Sequence, residues 1–212
     1  METVLAIALG LALSAACGFR IFVPLLALGA AQATGHLTLA PSFEWLGTPT
    51  ALLVLGVATA AEIVAYYVPW LDNLLDSLAT PAALVAGTVV TASVVTDLDP
   101  LWRWSLAVIA GGGLAGAVQT STTLLRAAST GSTAGLANPL LATGELGGAV
   151  AISIAALVVP LLALAAVIAG LVLAIVWVRR RRAARAAGSR AAIERSAAAP
   201  GSDLPERAPQ PW

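Results

Sequence analysis

Residues 146–178 run without a charged side chain, and they are only the longest of several such stretches. Residues 4–19, 21–43, 77–96, 104–125 and 127–144 are also uncharged, and 45–71 carries one charge, Glu62. A helix needs roughly 20 mainly apolar residues to cross about 30 Å of hydrocarbon. The chain is 59% hydrophobic and 10% charged, whereas soluble domains average about 45–50% and about 25%. Its mean hydropathy is +0.91. These values exclude an ordinary soluble enzyme, which needs more charge on its surface, and disorder of the whole chain. The expected architecture is all-α: a polytopic transmembrane helical bundle of about five spans, with the lipid bilayer as its principal partner.

The 11 basic residues balance 11 acidic ones, so no global basic field favours nucleic acid. Every basic residue is Arg, and Ala is abundant. That bias suits a GC-rich bacterial genome and a bacterial cytoplasmic (inner) membrane, and carries no mechanism. The single cysteine, Cys17, excludes a disulfide framework and a cysteine-built zinc site. His36 has no ligand partners at metal spacing and reads as a solvated loop residue. No Walker A, GxSxG or HExxH pattern occurs. No catalytic residue, metal or cofactor is therefore expected, and a bundle of this size is compatible with a homodimer.

Tryptophans mark the expected interfaces. Trp45 and Trp70 bracket one window, Trp102 and Trp104 open another, and Trp177 closes the last, as indoles at headgroup level do. A helix from Trp45 to Trp70 would run about 37 Å. After Trp177 come Arg179–Arg182, Arg185, Arg190 and Arg195, then a tail rich in Ala, Pro, Ser and Gly. The positive-inside rule places this end in the cytoplasm. The organisation expected is a transmembrane domain, 1–178, and a basic, then disordered cytoplasmic tail, 179–212. Met1-Glu2-Thr3 offers no positive leader region, so a cleaved signal is not expected.

Two segments resemble each other. Pro24-Leu25-Leu26-Ala27-Leu28-Gly29 and Pro139-Leu140-Leu141-Ala142-Thr143-Gly144 differ only at Leu28 and Thr143. Each follows a glycine-containing break, and a partial third copy begins at Pro160. Read as a duplication, units 3–71 and 101–178 are joined by span 77–96, and one connecting crossing inverts the second unit. Inverted repeats with broken helices are a recurring transporter design. In that arrangement 127–145 re-enters without crossing, Trp45 and Trp102–Trp104 lie inside, and the N-terminus and Asp72 and Asp76 lie outside. Residues 146–178 form one long span that Pro160 can split or kink.

Pro24 and Pro139 are expected to start short helices, because a proline in the first turn gives up an N–H that would be unpaired anyway. Two helix N-termini near mid-membrane would offer N–H donors to an anion or polar solute. Ionisable groups in a membrane are functional candidates by default: Arg20, Glu62 and Glu145, with an Arg20–Glu62 or an Arg20–Glu145 pair. A buried pair that only pins helices is the competing reading. Asn138, Thr143 and the Ser/Thr-rich stretch 129–138 supply polar ligands, or merely close helix packing. Asp72, Asn73 and Asp76 follow Pro69 and Trp70, and i, i+4 spacing puts Asp72 and Asp76 on one helical face. Such a pair can hold Mg²⁺, but no second acidic motif accompanies it, and Asp72 also suits a helix cap.

Three segments carry a family resemblance: Ser14-Ala15-Ala16-Cys17-Gly18-Phe19-Arg20-Ile21-Phe22-Val23-Pro24-Leu25-Leu26-Ala27; Glu62-Ile63-Val64-Ala65-Tyr66-Tyr67-Val68-Pro69-Trp70-Leu71-Asp72-Asn73; and Asn138-Pro139. Over about residues 3–178 the chain resembles the bacterial membrane family described as domain of unknown function 4126. The resemblance implies membrane location, and implies that Gly18-Phe19-Arg20, Glu62, Asp72-Asn73 and Asn138-Pro139 are family features. It implies no activity. The leading functional expectation is passage of a small solute or ion through a polar midplane site. The rivals are a non-transporting membrane organiser and a Mg²⁺-dependent lipid-phosphate enzyme using Asp72 and Asp76.

Overall fold

The computed structural model describes residues 2–198, without the side chains of Pro69, Trp70, Asp72, Asn73, Leu74, Asp76, Val178 and, beyond Arg180, all but Gly188. The regular structure among the described residues is all helical, with no strand. The helices are α1 (Glu2–Cys17), α2 (Phe22–Ala33), α3 (Pro49–Ala65), α4 (Pro69–Val94), α5 (Pro100–Leu106), α6 (Gly113–Thr133), α7 (Asn138–Val158) and α8 (Pro160–Ala198). A 3₁₀ turn, Pro41–Gly47, precedes α3, and a π-helical segment, Ala107–Gly112, joins α5 to α6.

Proline starts half of these elements: the 3₁₀ turn, α3, α4, α5 and α8. Its missing N–H costs nothing in the first turn. Thr48 and Asp99 cap α3 and α5, accepting from the N–H groups of Ala51 and Leu101. Pro139 is the second residue of α7 and Pro24 the third of α2, so both act in a first turn, as expected.

Among the described residues, four helical segments are long and apolar enough to cross a membrane: Ser77–Val94, Pro100–Thr133, Asn138–Val158 and Pro160–Trp177. The 3₁₀ turn and α3, bent by 67°, make a fifth if taken together. One boundary differs from that expected, and the break allowed for at Pro160 is found. Residues 127–145 do not re-enter as a unit: 127–133 completes α6, Ala134 and Gly135 turn the chain with φ of 52° and 84°, and α7 sets off on its own crossing-length path. Stretch 146–178 is split at Val159, because Pro160 cannot continue the ladder of α7 and pushes the residue before it out of the helical region.

α4 is the central helix of the unit Met1–Ile168, packed against α1, the π segment and α6, which also touch one another. These helices approach closely because their crossing points are small. A Cβ on Gly87 would stand 2.6 Å from that of Ala115, and a Cβ on Gly18 would stand 2.5 Å from the Ala115 carbonyl oxygen and from Val118 Cβ. Small residues at such contacts let backbones pack without the help of water. Thr91 Oγ1 donates to the Gly10 carbonyl at 3.2 Å, and the Ser14 hydroxyl donates to the carbonyl of Gly111 in the π segment. Leu13, Leu28, Leu39, Leu46 and Val90 fill the core between them.

The α1–α2 pair, not 127–145, forms a short helical hairpin. α1 starts beside the loop after α4, with Thr3 Oγ1 donating to Asp97 at 3.2 Å. It runs antiparallel to α4, so that Gly10 meets Thr91 and Gly18 meets Ala115 and Val118, halfway along Pro100–Thr133. The chain turns at Gly18–Arg20, and α2 returns along α3: the N-terminus of α2 meets Glu62, and Gly29 meets Leu46 and Leu52. The Ala40 N–H then donates to the Ser93 carbonyl, back at the end of α4 where α1 began. Helices of 16 and 12 residues span only about 24 and about 18 Å, which suits two arms of a hairpin rather than two crossings.

This path corrects the expected position of the N-terminus. Phe43 lies 6.1 Å from Trp104, ring to ring, so the 3₁₀ turn and α5 share one end of the bundle. Thr3 lies at that same end through Asp97, not at the opposite one. The large apolar side chains left outside the core, such as Leu53, Val57, Ile109 and Leu140, cover the outer surfaces of the helices.

Residues from Ala169 onward form a unit of their own. There α8 continues through Trp177 and the arginine run to Ala198. From residue 179 a basic stretch and then a disordered tail were expected; α8 runs through the basic stretch, whose alanines and arginines are among the best helix formers. The remainder of that tail, 199–212, lies outside the described residues.

Candidate functional site

The tip of the α1–α2 hairpin delivers Arg20 into the interior, where it is 1% exposed. Four elements meet there. Arg20 Nη2 donates to the Ala142 carbonyl of α7 at 2.9 Å and stands 3.7 Å from Glu145 Oε2. Its guanidinium lies 3.9 Å above the centre of the Tyr66 ring, at the end of α3. From α6, Arg126, itself 2% exposed, reaches the same two groups. Its Nε donates to Glu145 Oε1 at 3.1 Å, its Nη2 donates to Oε2, and its guanidinium lies 4.4 Å from the Tyr66 ring centre. Glu145 thus bridges two arginines, and Tyr66 offers its π face to both.

Glu62 faces the same junction but does something different. Its Oε1 accepts from the Ile21 N–H at 2.8 Å and its Oε2 from the Phe22 N–H at 3.1 Å. Both carboxylate oxygens therefore cap the N-terminus of α2, where negative charge is favoured by the helix dipole. The donors expected to face a solute at this helix start are taken by the protein itself. Of the two pairings expected for Arg20, the ion pair found is with Glu145, the eighth residue of α7, while Glu62 holds the start of α2.

Thr143 and Asn138 sit apart from this junction. Thr143 is exposed, donates to the Pro139 carbonyl and shares a 2.9 Å hydrogen bond with Tyr67. Asn138 Nδ2 donates to Thr130 Oγ1 at 3.2 Å, across the α6–α7 turn. The Ser/Thr-rich stretch mostly closes hydrogen bonds onto its own helix, as Thr133 does to Ser129. The side chains of Asp72, Asn73 and Asp76 lie outside the described residues. His36 is exposed and bonded to Thr34 at 2.9 Å. No cluster of three or more metal-ligating side chains exists among the described residues.

A recess of about 420 Å³ abuts the junction. Ile21 and Phe22 of the hairpin, Ala58 and Ala61 of α3 and Leu75 and Leu78 of α4 line it, Glu62 and Tyr66 border it, and its surface is almost wholly apolar. Tyr66 thus separates an apolar chamber from two buried arginines.

Sequence reasoning missed Arg126 and the role of Tyr66. The signals were present. Arg126 is the one charge between windows 104–125 and 127–144, where it served only as a boundary, and Tyr66 follows Glu62 by four residues, on the same helical face.

Crossing-length apolar helices around an ion cluster sealed from solvent define a polytopic α-helical integral membrane protein. The family model for a domain of unknown function, DUF4126, matches residues 7–180, and the chain belongs to that family. No curated protein and no solved structure matches it.

Proposed function

We propose that this membrane protein passes a small solute or ion across a cytoplasmic membrane through the junction of Arg20, Glu62, Tyr66, Arg126 and Glu145. The observation that carries the reading is the depth of Arg20. A guanidinium 1% exposed at the tip of a hairpin is expensive in hydrocarbon, and charges kept there mark solute and ion pathways. Broken helices around such a site are a transporter feature. Movement of the short hairpin arms would open the junction to either face. No catalytic step is assigned.

The test is flux into proteoliposomes for a panel of cations and anions, comparing wild type with Glu62→Gln. The reading expects flux of at least one ion and its reduction by the substitution. Absence of flux for every ion, with no effect of the substitution, refutes it.

One observation favours a membrane organiser instead. Both oxygens of Glu62 are used to cap α2, a role that needs no solute. Under that reading the junction only fixes the helix arrangement, and the flux measurement separates the two.

A further inference from the structure

We infer that Arg20 is the receptor for an oxyanion, either free in water or at the head of an apolar chain, that reaches it past Tyr66 from the neighbouring recess. This names a ligand class for the proposed transport site and rests on that reading.

Arg20 is the less committed of the two arginines. Arg126 holds Glu145 through both oxygens, whereas the Arg20–Glu145 contact of 3.7 Å is a charge contact beyond hydrogen-bond length. Arg20 Nε and Nη1 are buried without a hydrogen-bond partner, so three of its five N–H donors are unsatisfied. Buried donors left so are rare and call for an occupant, and a permanently charged guanidinium is best matched by a carboxylate or phosphate.

The surroundings suit an anion. Glu62 carries a like charge beside the site, and the two backbone N–H groups at the N-terminus of α2 that hold its oxygens offset that charge in part. The ligand oxyanion would compete with Glu145 for Arg20 and leave the Arg126–Glu145 pair intact. The recess walls of Ile21, Phe22, Ala58, Ala61, Leu75 and Leu78 fit an apolar tail, which would place its head beside Tyr66.

The test is thermal unfolding of the purified full-length chain in a non-ionic detergent at constant ionic strength, with acetate, inorganic phosphate, decanoate or neutral decanol added. Ligands that bind only the folded state raise the unfolding midpoint as their concentration passes Kd. The expected result is a rise with at least one of the three anions, none with decanol, and no rise in Arg20→Lys. That variant keeps the charge but lacks the Nε and Nη1 donors, and Arg20→Gln serves as a second variant where it folds. A rise with decanoate alone assigns the ligand to an amphiphile, and a rise with acetate or phosphate as well assigns it to a free oxyanion. Both outcomes support the inference. No rise with any anion in wild type, or an equal rise in Arg20→Lys, overturns it. Flux measured on the same preparations keeps the two claims apart. Cation flux without anion binding would leave the transport reading and remove this one. Anion binding without any flux would do the reverse.

Discussion

Arg20 and Glu145 face each other at 3.7 Å, joining the tip of one helical hairpin to the first turns of α7. Arg126 reaches the same carboxylate from α6. The three side chains tie together elements far apart in sequence, and removing one member leaves buried charge uncompensated.

Truncating the carboxylate should therefore destabilise the fold strongly. Glu145→Ala strands two guanidiniums in the interior, and a loss of about 3–5 kcal/mol is expected. Denaturant unfolding in detergent micelles measures it. A loss under about 1 kcal/mol would assign this pair the energy of an exposed surface bridge.

Glu62 is expected to matter through the backbone. Glu62→Gln keeps one acceptor for Ile21 and Phe22 and replaces the other with a donor, so one buried N–H loses its partner. The cost should be about 1–3 kcal/mol, read from the same unfolding curves. Hydrogen exchange at Phe22 should rise in step, and an unchanged exchange rate there would contradict the capping role.

The Tyr66 ring should contribute through its face. Tyr66→Leu removes the surface under both arginines, and Tyr66→Phe keeps it. The Leu variant should be less stable than the Phe variant by about 1–2 kcal/mol. Equal stabilities would mean that the ring is only filler.

Helix contacts give a paired prediction. Gly18→Ala puts a Cβ 2.5 Å from a backbone oxygen, whereas Gly56→Ala meets nothing within 4 Å. The first should cost about 1–3 kcal/mol by overpacking. The second should be neutral or stabilising by about 0.5–1 kcal/mol, as in a helix interior. Thermal midpoints of the two variants check the contrast.

Much of this architecture is legible in the sequence because uncharged length and proline positions are local signals. They gave the all-α bundle, the helix starts at Pro24 and Pro139, and Arg20, Glu62 and Glu145 as residues that membrane burial makes costly. What was not legible depends on tertiary direction. Residues 4–19 and 21–43 read as two windows, and only the contacts of Thr3 with Asp97 and of Ala40 with Ser93 show them folding back to one end. Arg126 was passed over because it lies seven residues before the end of α6, and nothing local shows that this stretch is buried. Thr143 was selected as a polar ligand, but its position on α7 turns it outward to Tyr67.

Side-specific labelling tests the central claim, a hairpin that dips from one face and returns with Arg20 at its tip. Single cysteines at Thr3, His36, Asp97 and Leu136 would be treated with a membrane-impermeant maleimide on intact and inverted vesicles, with the buried Cys17 as the silent background. The account predicts that positions 3, 36 and 97 label from one side and position 136 from the other. Labelling of 3 and 36 from opposite sides would contradict it.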